Sequence, residues 1–142
     1  MVVPPDRSVA VRVNVLRMCW LGIATEDHEA MVRMFRDVLG LRVEFEQRGT
    51  AELSLPSGDR VQLFAPGHPT HRLFRDNAAG PVALFEVDDL ASARAELEVA
   101  GIEVIGAPGR DGSWEWLNFR APDGSLYELA SRVGPERVSP AQ

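Results

Sequence analysis

The chain has 142 residues, 45% of them hydrophobic and 25% charged, so it can form one globular domain, residues 1–142, whose core needs no metal or disulfide. Its formal charge of −6 argues against partners such as nucleic acids and against binding to anionic membrane surfaces. No apolar run reaches membrane-spanning length, and the first eight residues lack the apolar stretch of a signal peptide, so we expect a soluble, cytoplasmic protein.

The first half of the chain, residues 15–65, has the pattern of a βαβββ unit. A strand is predicted over residues 15–24, and Asp27 can cap the helix that follows because its carboxylate accepts from free backbone amides. Apolar residues then recur at helical spacing up to Gly40, which predicts an inward stripe of Met31, Met34, Phe35, Val38 and Leu39. Further strands are predicted over residues 42–47, 50–55 and 60–64.

Residues 66–80 lack periodicity and are interpreted as a long connecting loop, in which His68 and His71 form a solvated pair. A second unit over residues 81–131 repeats the order of the first. It contains a strand, a helix and three strands, predicted at residues 81–87, 89–100, 102–105, 114–120 and 125–130. The ends of the chain, residues 1–12 and 133–142, are interpreted as tails.

Landmarks recur between the two units at a nearly constant distance. Gly40, which ends the first helix, corresponds to Gly101 in the second unit, and the turn residue Gly58 corresponds to Gly124. Such self-similarity indicates a duplicated unit. We therefore predict an α+β fold in which two tandem βαβββ units form a curved mixed β-sheet around a cavity, with the helices on the outer face.

Strand alternation assigns side chains to the two faces of the sheet, because residues two apart share a face. Apolar residues predict the face toward the helices, and Cys19 is counted among them as a small core residue. The other face mixes aromatic and polar side chains, which suits the wall of a small-molecule cavity. Its members include Met18, Trp20, Glu52, Arg60, Gln62, Val82, Trp114, Trp116, Asn118, Arg120 and Glu128.

Three runs of the sequence point to a family. The run WLGIATED from Trp20 to Asp27 leads to FRDVLGL at Phe35–Leu41, and the last strand is entered through APDGSLYEL at Ala121–Leu129. Together with the two βαβββ units, these runs resemble the glyoxalase/bleomycin-resistance/dioxygenase group, the vicinal oxygen chelate superfamily. The resemblance covers roughly residues 15–131. It implies the fold but no single activity, because the family contains glyoxalase I, extradiol dioxygenases, epimerases, fosfomycin-modifying enzymes and antibiotic-sequestering proteins without catalysis.

The resemblance implies metal ligands at four equivalent strand positions, occupied in this sequence by Trp20, Gln62, Val82 and Glu128. An indole only donates and valine has no lone pair, so two of the four ligands are missing. Two oxygen ligands without histidine make a weak site for a transition metal. We therefore predict no metal and no other cofactor, which argues against a metal-dependent glyoxalase I or extradiol dioxygenase.

Three functions are compatible with these residues. The preferred one is a metal-independent protein that binds a cationic or aromatic small molecule, with sequestration of that molecule as its role; its candidate binding residues are Trp20, Gln62, Val82, Trp116, Asn118, Arg60 and Arg120. The second is a lyase or isomerase that uses Glu128 or Glu52 as a general base, with a substrate oriented by Arg60 or Arg120. The third is a ligand-free regulatory or partner-binding module.

Two residue roles and the assembly state stay open at this point. Trp20 either fills the space that a metal occupies in relatives or serves as a stacking platform for a ligand. Glu128 is either a general base or a carboxylate paired with Arg60 or Arg120. A homodimer is expected, with its contact near Trp114 or the tails.

Overall fold

The structure is a computed structural model that describes residues 13–133. The predicted tail at residues 1–12, and that at 133–142 apart from its first residue, lie outside the described residues. The strands are β1 Val15–Ala24, β2 Arg42–Gln47, β3 Thr50–Ser54, β4 Arg60–Phe64, β5 Val82–Val87, β6 Glu103–Asp111, β7 Trp114–Arg120 and β8 Leu126–Arg132. The helices are α1 His28–Arg33, continued by a π-helical segment over Met34–Val38, α2 Pro69–Phe74 and α3 Leu90–Val99.

These eight strands form one mixed sheet in the order β2-β3-β4-β1-β5-β8-β7-β6. The first strands of the two units, β1 and β5, pair antiparallel at its centre. Each of them also pairs in parallel with the last strand of its own unit, β1 with β4 and β5 with β8. The predicted α+β class, with two βαβββ units in a curved mixed sheet, is confirmed.

The helix ends lie where the sequence predicts them. Asp27 accepts from the amide of Ala30 at 3.4 Å and caps α1, and Asp89 caps α3 in the same way. Gly40 and Gly101 follow the two helices with φ of +78° each, a left-handed conformation that glycine adopts without steric cost.

The predicted apolar stripe of the first helix is wrong in its second half. Val32 is buried and Phe35 packs against the core, but Met34, Val38 and Leu39 are exposed. The amide of Leu39 donates to the carbonyl of Met34, five residues back, at 3.0 Å. This wider π turn, which begins at Met34, takes Val38 and Leu39 out of the 3.6-residue register on which the prediction was based.

The segment 66–80 is not a loop throughout, because Pro69–Phe74 form the short helix α2. His68 is its N-cap, and proline at the first position loses no hydrogen bond since that amide would be free in any case. His71 and Phe74 are both buried. The interpretation of the two histidines as a solvated pair is therefore wrong.

A bulge in β1 changes the predicted faces at Cys19. β1 pairs Met18 with Phe85 and Trp20 with Leu84, so the register shifts between these pairs. Cys19 packs with Leu84 on the concave side, whereas Met18 is 55% exposed. The predicted places of Cys19 in the helix-facing core and of Met18 in the cavity wall are wrong, because a bulge interrupts the two-residue alternation.

The core between the sheet and helices α1 and α3 consists of one cluster under each of these two helices. Under α1 the buried residues are Val32, Ala51, Leu53, Val61 and Leu63; under α3 they are Val87, Leu90, Ala93, Leu117 and Leu129. Because α1 and α3 cover one face, the concave face stays available for a cavity. Within residues 13–133, no helix is both long and apolar enough to cross a membrane.

Candidate functional site

The concave face of the sheet holds an open cavity of about 590 Å³, a size that suits a small molecule. Of the predicted site residues, the cavity is lined by Trp20, Glu52, Arg60, Gln62, Trp116 and Glu128. Arg17, Trp114 and Arg132 contribute further side chains at its wall. The structure thus brings together both predicted carboxylates and all three tryptophans of the chain.

Three predicted site residues do not line this cavity. Val82 is fully buried in an apolar cluster behind it. Asn118 contacts the cavity residue Glu128 and so acts only through that side chain. Arg120 donates from Nη1 to the carbonyl of Gly124 at 3.0 Å, which ties it to the β7–β8 turn and away from a ligand.

Trp20 fills the deep end of the cavity. Its ring centroid lies 6.0 Å from that of Phe74 in an edge-on contact and 6.3 Å from that of Phe64. The indole also lies directly over Gly22, where a Cβ atom would come within 2.3 Å of its Cη2. Only glycine leaves room for the indole at this position. Trp20 therefore packs against the apolar cluster that contains Phe64 and Phe74, and part of its ring lies in the cavity wall.

A chain of hydrogen bonds fixes Trp20 and Gln62. The indole Nε1 of Trp20 donates to Gln62 Oε1 at 3.2 Å, and Gln62 Nε2 donates to Thr50 Oγ1 at 2.9 Å. Thr50 in turn donates to the carbonyl of Leu63 at 2.8 Å. Since an indole can only donate, this chain requires the amide oxygen of Gln62 to face Trp20.

Glu128 is a buried carboxyl group at the floor of the cavity, with 7% of its surface exposed. Its Oε2 accepts from Asn118 Nδ2 at 2.8 Å, and in the described part of the chain no cation pairs with it. Burial raises the pKa of Glu128 to about 7, and the hydrogen bond from Asn118 offsets that rise only in part. Arg60 pairs instead with Glu52, and Arg120 with a backbone carbonyl, so the predicted pairing of Glu128 with either arginine is wrong.

Two arginines that the sequence analysis missed meet at one buried carboxylate. Arg17 Nε donates to Glu86 Oε1 at 2.8 Å, and Arg132 Nε lies 3.4 Å from Glu86 Oε2. The guanidinium of Arg132 also lies 4.5 Å from the centroid of the Trp114 ring. Arg17 was not predicted because the bulges of β1 interrupt the alternation that assigns faces. Arg132 was not predicted because β8 extends two residues past its predicted end at 130.

The donor set at the four positions implied by the family resemblance does not fit a transition metal. Val82 has no lone pair, and Trp20 presents an N–H group that is bound to the oxygen of Gln62. A metal at these four positions would have to displace the indole of Trp20 from the oxygen of Gln62. Glu128 would then be its single carboxylate ligand. Among the described residues, no group of three or more His, Cys, Asp or Glu side chains is placed to hold a metal.

Comparison with known proteins agrees with this architecture. The family model of the Glyoxalase/Bleomycin resistance protein/Dioxygenase superfamily matches residues 17–129. The structure of methylmalonyl-CoA epimerase from Mycobacterium tuberculosis is similar at 22% identity and a TM-score of 0.66, covering 92% of this chain and 95% of that one. A superfamily member from Vibrio splendidus 12B01 is 18% identical with a TM-score of 0.62, covering 82% and 99%.

The Mn(II)-bound glyoxalase from Novosphingobium aromaticivorans is 23% identical with a TM-score of 0.66, and the match covers 86% of this chain and 40% of that one. At these identities the likeness extends to the fold alone. No curated protein sequence matches the chain significantly.

Proposed function

The chain belongs to the Glyoxalase/Bleomycin resistance protein/Dioxygenase superfamily, and on that basis we propose that it binds a cationic or aromatic small molecule in its cavity without using a metal. The observation that carries this proposal is the environment of Glu128. A buried carboxylate with one amide partner is costly to ionise, and a ligand that brings a positive charge or a hydrogen-bond donor removes that cost.

The surroundings of Glu128 support a ligand with an aromatic or apolar body. Leu84 and Ala130 supply apolar surface beside the carboxylate. Trp116 lies flat against Gly109, where a Cβ atom would approach its Cε2 to 2.4 Å, so the indole is held in a defined position in the wall. A carboxylate flanked by indole rings is suited to organic cations. The open cavity favours this function over the ligand-free regulatory or partner-binding module.

Binding of phenethylamine, a small aromatic ammonium ion, tests the proposal by calorimetry and by quenching of tryptophan fluorescence. Because the ammonium pairs with ionised Glu128, its affinity should rise as the pH increases through about 7 and should level off above that pH. Glu128→Gln should weaken binding at least tenfold, whereas Glu103→Gln, an exposed carboxylate on β6, should leave it unchanged. Equal affinity for the wild type and Glu128→Gln at pH 8 would contradict the proposal.

A lyase or isomerase with Glu128 as general base is the second candidate. One observation favours it: a carboxyl group with a pKa of about 7 both accepts and releases protons near neutral pH. The other predicted base, Glu52, is engaged by Arg60, which makes it the weaker candidate. In an enzyme of this kind, Glu128→Gln should lower turnover of the substrate by about 10²- to 10⁴-fold while binding persists. In a binding protein the same substitution lowers affinity, and there is no turnover to lose.

A further inference from the structure

Three cross-strand pairs of β7 and β8 form a graded wall along the cavity. From the inside outward they are Asn118 with Glu128, Trp116 with Ala130, and Trp114 with Arg132. Residues two apart on a strand share a face, so all three pairs belong to the concave side, and the outer pair is roughly 13 Å along the strand from the inner one. A ligand lying along this hairpin meets a carboxylate, then an aromatic surface, then a guanidinium.

The outer guanidinium is oriented by two contacts. Its Nε atom lies 3.4 Å from Oε2 of the buried Glu86, and its Cζ atom lies 4.5 Å from the centroid of the Trp114 ring. Arg17 takes the other oxygen of Glu86 and also binds Asp59 at 3.2 Å. Within the described residues, Nη1 and Nη2 of Arg132 donate no hydrogen bond, and the side chain lines the cavity with 49% of its surface exposed.

A guanidinium held through Nε and stacked on an indole is suited to one kind of ligand group. Its two Nη atoms form a fork that matches the paired oxygens of a carboxylate or a phosphate. An ammonium group would be repelled at this end of the wall, whereas Glu128 attracts one at the inner end. The small methyl side chain of Ala130 leaves room for a ligand between Arg132 and Glu128.

We propose that the ligand is an elongated amphoteric molecule whose oxyanion, a carboxylate or a phosphate, is bound by Arg132 while its cationic or donor end reaches Glu128. This inference rests on the proposed function, since it assumes that the cavity takes a ligand. It adds that the ligand has one anionic end and one cationic or donor end, and that Arg132 determines the specificity for the anionic end. Glu86 and Trp114 act as positioning residues for that guanidinium.

Three probes test the inference by calorimetry at pH 8, where Glu128 is mostly ionised. Phenethylamine has the ammonium and the ring only, 4-(2-aminoethyl)benzoate adds a carboxylate, and tyramine phosphate adds a phosphate. We expect at least one oxyanion probe to bind tenfold or more tightly than phenethylamine, and the better of the two identifies the oxyanion. Arg132→Gln should abolish that advantage, so that the three probes bind with similar affinity.

Two further variants make the test specific. Arg132→Lys keeps the charge and lacks the fork, so it should lose most of the oxyanion advantage while its melting temperature stays close to that of the wild type. Arg42→Gln removes an equal charge from a side chain that is 82% exposed on β2 and should change nothing. If phenethylamine binds but neither oxyanion adds affinity, or if Arg132→Gln weakens all probes equally, the inference is overturned. If phenethylamine itself fails to bind, the proposed function fails and the inference with it.

Discussion

The pKa of Glu128 leads to a quantitative prediction about stability. Folding raises this pKa from 4.5 to about 7, so the folded state holds the proton more tightly than the unfolded chain. The stabilisation by the protonated group is therefore complete below about pH 4.5 and is lost as the pH rises to about 7. At 1.36 kcal/mol per pKa unit, ionised Glu128 costs about 3 kcal/mol of folding free energy at pH 8.

Glu128→Gln removes the charge and keeps the shape, and its amide oxygen can still accept from Asn118. The variant should be about as stable as the wild type at pH 4 and more stable by up to about 3 kcal/mol at pH 8. Urea unfolding followed by tryptophan fluorescence between pH 4 and pH 9 measures this difference, with Glu103→Gln as the exposed control. A difference that does not change with pH would refute the reasoning, because it would mean that a cation or solvent compensates the carboxylate.

Three further predictions concern metal, packing and assembly. After dialysis and exposure to Zn²⁺, Ni²⁺, Mn²⁺ or Fe²⁺, elemental analysis should find well under one equivalent bound, and the melting temperature should hardly rise; stoichiometric metal would contradict the donor analysis. Gly22→Ala places a Cβ atom 2.3 Å from the indole of Trp20 and 2.5 Å from the ring of Phe74, so it should lower the free energy of unfolding by about 1–3 kcal/mol in urea titration. Trp20→Phe removes only the first of these clashes and should relieve the loss only in part in the double variant; full additivity of the two substitutions would contradict the packing argument. Light scattering at micromolar concentration should give twice the monomer mass of 15.6 kDa, with the dimer contact near Trp114 or the tails; a monomer mass would count against it.

The strands and helix ends were predictable because they depend on neighbouring residues. Alternation of apolar residues marks a strand whichever strands pair with it, and a cap such as Asp27 or a terminating Gly40 acts within one helical turn. The duplication then predicted the fold class, since equivalent units build equivalent halves. The two positions that cannot ligate a metal, Trp20 and Val82, were likewise evident from residue type alone.

The remaining features depend on contacts between distant parts of the chain, so only the tertiary structure decided them. The bulge beside Cys19 arises from the pairing of β1 with β5, and it placed Arg17 on the cavity side in a way that alternation cannot predict. The pKa of Glu128 depends on every atom that excludes water from it and on the absence of a cation among the described residues. Likewise, Arg132 stands on Trp114 and beside Glu86 because β8 lies between β5 and β7 in the sheet, a neighbourhood set by topology and not by sequence distance.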